Sequence, residues 1–193
     1  GHRSAFHAIS KALRESDITV ADIGCHTLGY LPPHRIGRLL MSMGASTGIG
    51  QGLSLSKPER RVAAFLGDST FFHAGIPGII NAVFNRHRLT LIVMENGTTA
   101  MTGHQEHPGT GRNFDGPAPG IPVRKVLEGI GVTDIAEVDT YNQKALTAAV
   151  EKALDSPGLS VVIARHPCML KFAREQRRKP GFKPRHVSVD SGR

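Results

Sequence analysis

Two residues in this sequence, Asp68 and Asn96, have the chemistry and the setting to hold a metal ion between them. Twenty-seven residues separate them, and each follows an apolar run: RVAAFL leads into Gly67-Asp68-Ser69, and LTLIVM leads into Glu95-Asn96-Gly97. A carboxylate and an amide oxygen at two adjacent strand ends can share one hard cation. Mg²⁺ favours such oxygen ligands and keeps phosphate groups in its shell. The neighbouring glycines let backbone N–H groups approach phosphate oxygens closely. Taken alone, Gly-Asp-Ser is an ordinary aspartate cap on a helix that follows a strand. The Asn at this spacing, with a strand before each residue, turns the reading toward a metal–phosphate site. A further polar group, Gly24-Cys25-His26, follows the short apolar run 18–23, and GASTGIGQGL opens a helix at Gly44.

Elements that could position these residues are legible from periodicity. Residues 4–14 have helical spacing, with Phe6, Ile9 and Leu13 on one face. Residues 18–23, 61–66, 89–94, 134–138 and 159–164 read as strands. Residues 71–84, 123–130 and 143–154 read as helices, with Pro77 as a kink or a helix start. The run 89–94 has no polar break, as expected of a strand covered on both faces. Strands alternating with helices predict an α/β fold, a three-layer parallel sheet flanked by helices. In such sheets ligands bind at the carboxyl ends of the strands, where the three polar groups fall. Residues 98–122 read as a long loop, and after Pro167 the chain reads as basic and irregular.

Composition narrows the function classes. The chain has 193 residues, 39% apolar, with 22 Gly and 12 Pro, which excludes collagen-like and fully disordered classes. No apolar run is long enough for a membrane helix. The net charge is +8, but residues 165–193 hold nine Lys/Arg against Glu175 and Asp190, leaving 15 basic and 14 acidic residues in 1–164. The charge therefore belongs to the tail, and nucleic acid is not an expected partner: the chain has no Trp and only two Tyr, neither of them among these basic residues. Residues 171–193 are expected to form a basic linker after a domain spanning 1–170. Two cysteines, Cys25 and Cys168, cannot alone hold an iron–sulfur cluster, and they fit a cytoplasmic setting. His104 and His107 have His-x-x-His spacing, but without a third ligand nearby zinc is not expected. No initiator Met is present, so the chain is expected to be a segment of a longer one.

The Asp68–Asn96 pair resembles the thiamine-diphosphate signature, which opens Gly-Asp-Gly and closes at Asn; Ser69 replaces the third Gly. Longer runs resemble indolepyruvate:ferredoxin oxidoreductases, a family of thiamine-diphosphate-dependent 2-oxoacid oxidoreductases. These are Ala21-Asp22-Ile23-Gly24-Cys25-His26-Thr27-Leu28-Gly29, Met43-Gly44-Ala45-Ser46 and Gly67-Asp68-Ser69-Thr70-Phe71-Phe72-His73. The most specific is Asn96-Gly97-Thr98-Thr99-Ala100-Met101-Thr102-Gly103-His104-Gln105, followed by His107-Pro108-Gly109-Thr110-Gly111. The likeness runs from residue 1 to about 170 and corresponds to the C-terminal cofactor-binding domain of the large subunit. In that family Ser69 is the usual residue.

The resemblance implies a set of roles. Asp68 and Asn96 would bind Mg²⁺ by side chain and Thr98 by its carbonyl. Gly67, the turn of Gly44, Ala45 and Ser46, and the Ser69 N–H would meet the diphosphate. Gly24, Cys25 and His26 would lie near the thiazolium, with His26 orienting substrate or shuttling a proton and Cys25 either beside it or merely buried. Thr99, Ala100 and Met101 would begin a segment closing over the cofactor. The parent reaction would be oxidative decarboxylation of indolepyruvate or a related arylpyruvate, with coenzyme A taking the acyl group and ferredoxin the electrons. The activating glutamate would come from a separate pyrimidine-binding domain, N-terminal to this segment in the full-length relatives, and a partner subunit would join it. Iron–sulfur clusters would lie only outside this chain. Two rival readings stand beside this one: a non-oxidative thiamine-diphosphate decarboxylase or synthase, and a non-catalytic, basic-tailed binding module.

Overall fold

A computed structural model describes residues 1–183; the end of the expected linker, 184–193, lies outside the described residues. Five parallel strands form the sheet: β1 (Ile18–Val20), β2 (Val62–Gly67), β3 (Leu89–Glu95), β6 (Asp134–Asp139) and β7 (Leu159–Arg165). Their order is β1-β2-β3-β7-β6. Side chains alternate across it, as strand geometry requires. Phe65, Ile92, Met94 and Val162 face one core with α1 (His2–Ala12) and α6 (Gln143–Leu154). Leu66, Leu91, Val93 and Ile163 face the other, under α2 (Ala45–Ser56), α4 (Ile76–Phe84) and α5 (Val123–Ile130). Central strands buried on both faces are why 62–66 and 89–94 read as unbroken apolar runs. The three-layer α/β fold is as expected.

Four local differences bear on the site. First, β1 stops at Val20 rather than at 23, because the buried Asp22 carboxylate accepts N–H bonds from Ile23, Gly44 and Ser46 and draws the chain off the sheet. Second, the helix expected from Phe71 begins at Asp68: α3 (Asp68–Thr70) runs through a π turn (Phe71–Gly75) into α4. Pro77 is the second residue of α4, directly after the turn. A wider π turn tolerates the N–H that proline lacks. Third, within the loop, β4 (Arg112–Asn113) and β5 (Gly116–Pro117) form a small antiparallel pair. Fourth, the chain after Pro167 is not irregular throughout, since α7 (Met169–Arg177) forms there. None of its residues is buried, and its basic residues are what made it read as a linker. The Cys168 N–H donates to the Asn96 carbonyl and Lys171 reaches Glu106, so α7 starts against the site loop.

The contact between α2 and the π turn depends on Gly44. Its φ is +83°, and a Cβ there would sit 2.8 Å from the Ala74 carbonyl oxygen. Gly44→Ala is expected to cost on the order of 2 kcal/mol, from left-handed strain plus displacement of that turn. A urea midpoint shifted down at unchanged m-value would show it; an unchanged midpoint would mean the turn can move freely.

Candidate cofactor site

Parallel register sets the geometry. Gly67 pairs with Met94, so Asp68 and Asn96 emerge at the same edge of the sheet. On the outer, β1 side of Asp68, Gly24 leads from β1 into a 3-10 helix (Cys25–Tyr30) that carries Cys25 and His26. One cavity is lined by eleven of the fourteen expected residues: Gly24, Cys25, His26, Gly67, Asp68, Ser69, Asn96, Thr98, Thr99, Ala100 and Met101. Thr102, within the 99–105 segment expected to close over the cofactor, also lines it; so do His2, Ile23, Met43 and Thr70, which sequence reasoning had not selected for the site.

Asp68 is the centre of the hydrogen bonding. It is 2% exposed. Its Oδ1 accepts the Ser69 N–H (2.9 Å), and its Oδ2 accepts the N–H groups of Asn96 (2.9 Å) and Gly97 (2.7 Å). His107 Nε2 lies 3.3 Å from Oδ2. The carboxylate therefore stitches the end of β2 to the end of β3. Oδ1 keeps the freer lone pair. The Asn96 side-chain oxygen accepts the Thr98 N–H (3.0 Å), leaving a second lone pair. Among the described residues no donor reaches the Thr98 carbonyl, although Thr98 is buried. Three hard oxygens with spare acceptor capacity on one loop-and-strand edge suit a divalent cation such as Mg²⁺. Among the described residues no three His, Cys, Asp or Glu side chains converge in a metal-binding group.

Two expected phosphate contacts need correcting. Gly44, Ala45 and Ser46 do not line the cavity: the Gly44 and Ser46 N–H groups donate to Asp22, and that of Ala45 to the Ser42 carbonyl. A buried carboxylate already occupies the anion position that this helix start offers. The Ser69 N–H is likewise taken by Asp68. The Ser69 hydroxyl remains: it pairs with Thr99 Oγ1 (2.8 Å) and lies 3.3 Å from His73 Nδ1. Because a carbonyl only accepts, His73 Nδ1 carries a proton and donates it to the Ser69 carbonyl (2.8 Å). The segment over the cavity closes on itself, with Thr99 N–H on the Gln105 carbonyl and His104 N–H on the Thr99 carbonyl.

Burial disfavours charge on the two histidines and the thiol that face the cavity. Burial pushes the His26 imidazole below its ordinary value, with Asp22 and Asp68 opposing. Gly24 is needed beside it, since a Cβ would come within 2.7 Å of the ring. Burial, then repulsion from His26, pulls His2 down to about 4. Burial, then Cys168, raises the Cys25 thiol, which argues against a thiolate nucleophile there. For both histidines the unfolded chain takes up protons near pH 6.5 while the folded chain does not. Stability is therefore complete above about pH 6.5 and falls as pH drops toward 4. Denaturant titrations at pH 7 and pH 5 should show this loss, and His26→Asn should shrink it; an equal loss in the variant would assign the slope elsewhere.

Comparison with known proteins shows the family of the domain. The family "Thiamine pyrophosphate enzyme, C-terminal TPP binding domain" matches residues 22–164, most of the chain. The chain belongs to this family. Thiamine pyrophosphate is thiamine diphosphate, and the match runs from Asp22 to the end of β7, covering nearly every element of the cavity. The domain is similar to "Indolepyruvate oxidoreductase subunit IorA" of Thermococcus kodakarensis, 41% identical over 98% of this chain and 31% of that protein. It is also similar to the subunit of the same name from Methanothermobacter thermautotrophicus, 42% identical over 88% of this chain and 28% of that protein. The chain thus spans about three tenths of the length of these curated relatives. Among solved structures, 2-oxoglutarate:ferredoxin oxidoreductase from Magnetococcus marinus superposes with a TM-score of 0.76 at 18% identity, covering 91% of this chain and 67% of that one. A 4-hydroxybenzoylformate decarboxylase from Rhodococcus jostii reaches 0.61, covering 85% and 32%. At these identities the structures share the fold with this domain. No helix among the described residues is long and apolar enough to cross a membrane.

Proposed function

We propose that this domain supplies the diphosphate- and Mg²⁺-binding half of the active site of a cytoplasmic 2-oxoacid:ferredoxin oxidoreductase acting on indolepyruvate or a related arylpyruvate. The observation that carries the reading is the Asp68 carboxylate, buried and braced by backbone N–H groups, with the Asn96 and Thr98 oxygens beside it. Likeness to IorA subunits over nearly the whole chain favours the oxidative reaction over the decarboxylases, which share only the fold.

In this reading Asp68 Oδ1, the Asn96 amide oxygen and the Thr98 carbonyl hold the cation, and the Ser69 hydroxyl donates to a diphosphate oxygen. Thiamine diphosphate, when bound, supplies the carbanion chemistry that lets a 2-oxoacid lose CO₂. The chain's own residues position and shield. Gly24 and Gly67 let backbone approach the ligand. Met43 and Met101 offer apolar surface. His26, held neutral, can exchange a proton with the substrate at a ring nitrogen. Cys25 acts as a small wall. Leu28, Tyr30, Leu31, Leu40 and Met41, exposed between His26 and Met43, would meet the pyrimidine-binding domain. The basic segment from 171 onward would connect to a cluster-bearing domain that passes electrons to ferredoxin.

Full-length protein with its partner subunit should couple indolepyruvate and coenzyme A to reduction of a low-potential acceptor, only with thiamine diphosphate and Mg²⁺. Residues 1–193 alone should not exceed free cofactor. A preference for non-aromatic 2-oxoacids would overturn the substrate assignment, and turnover by the chain alone would overturn the half-site.

A further inference from the structure

His107 stands out because its burial is not explained by packing alone. The residue is 6% exposed, and its ring stacks on Phe72 with centroids 5.7 Å apart. Its Nδ1 accepts the Gly109 N–H at 3.1 Å. An accepting Nδ1 in a neutral ring leaves the proton on Nε2. That buried N–H lies 3.3 Å from Asp68 Oδ2 and completes no hydrogen bond among the described residues.

We propose that His107 is a positioning residue for the metal-binding carboxylate of Asp68, an inference that rests on reading Asp68 as a Mg²⁺ ligand. Oδ2 already accepts two backbone N–H groups, and His107 holds a third N–H 3.3 Å from the same oxygen, short of a completed bond. With Oδ2 claimed by protein donors, Oδ1 is left as the oxygen that faces a cation. The Gly109 N–H fixes the tautomer, and Phe72 fixes the plane of the ring. This is the arrangement in which a partner outside the ligand set orients a ligand, and removing such partners typically lowers metal affinity about 10–100-fold. Zinc binding by the His104/His107 pair is not needed to account for the residue: its Nδ1 is spent on Gly109 and its Nε2 faces a carboxylate.

The test is Mn²⁺ binding to the full-length protein in the presence of thiamine diphosphate, followed by loss of the free-ion EPR signal. His107→Phe keeps the stacked ring and loses the donor, and should weaken Mn²⁺ binding about 10-fold or more. His107→Gln restores an N–H near the Nε2 position and should recover most of that loss. Wild-type affinity in His107→Phe, or an equal loss in both variants, would overturn the proposal. Wild-type affinity in Asp68→Ala would instead overturn the reading of Asp68. Histidine-selective ¹⁵N NMR of the unmodified protein gives a readout that needs no variant: His107 should be the neutral Nε2–H tautomer, and a protonated Nδ1 would overturn the proposal.

Discussion

Asp68→Ala is expected to lower Mg²⁺-dependent thiamine diphosphate affinity by at least about 100-fold. Partners outside the ligand set are worth about 10–100-fold in metal affinity, and a carboxylate in direct contact with the ion should exceed that range. The mutation also strips the acceptor from the N–H groups of Ser69, Asn96 and Gly97, so the ends of β2 and β3 lose their tie. Asn96→Ala should weaken binding less, because a neutral amide gives a divalent ion less charge than a carboxylate does. Titration calorimetry with and without Mg²⁺ separates these effects. Undiminished affinity in the alanine variant would remove Asp68 from the site.

Asp22→Ala should be the most damaging single change to stability near the cavity, at about 3 kcal/mol. Asp22 is fully buried, and its two oxygens accept N–H bonds from Ile23 (2.8 Å), Gly44 (2.9 Å) and Ser46 (3.2 Å). Hydrogen bonds to a charged group contribute about 1.5–3 kcal/mol each, although they are not additive when shared on one carboxylate. Losing them frees the turn that carries Gly24 and His26 and the turn that opens α2. Cofactor affinity should therefore fall together with stability, whereas Asp68→Ala should reduce affinity more than stability. Thermal melts beside calorimetry for both variants check the contrast; an unchanged melting temperature in Asp22→Ala would show that water replaces the carboxylate at little cost.

Sheet and helix layers were legible because central strands are unbroken apolar runs and α5 and α6 have strong helical periodicity; both helices have the expected bounds. The Asp68–Asn96 pair, proposed here as the metal site, drew notice because two polar residues each follow a buried strand, and register does bring both to one edge of the sheet. Asp22 was harder. It lies inside what reads as a strand, and its partners Gly44 and Ser46 are 22 and 24 residues away, a separation no local period marks. Its only signal was an acidic residue between apolar neighbours ahead of a Gly-rich helix start. The same carboxylate explains why Gly44, Ala45 and Ser46 resembled a phosphate cradle: the turn does bind an anion, and the anion is a side chain. His107 attracted notice as half of a metal-ligand spacing, while its actual neighbour, Asp68, is 39 residues earlier in the chain. The α7 helix was missed because its basic residues read as a linker, although its apolar residues do gather toward one face.

The claim on which the rest depends is that Asp68, Asn96 and Thr98 together hold the cofactor's cation. Anomalous diffraction from crystals of the full-length protein grown with thiamine diphosphate and Mn²⁺ tests it directly. The account predicts a single manganese peak within bonding distance of Asp68 Oδ1, the Asn96 side-chain oxygen and the Thr98 carbonyl, with diphosphate oxygens completing its shell. A peak at His104 and His107, or a bound cofactor whose metal touches none of the three oxygens, would contradict it.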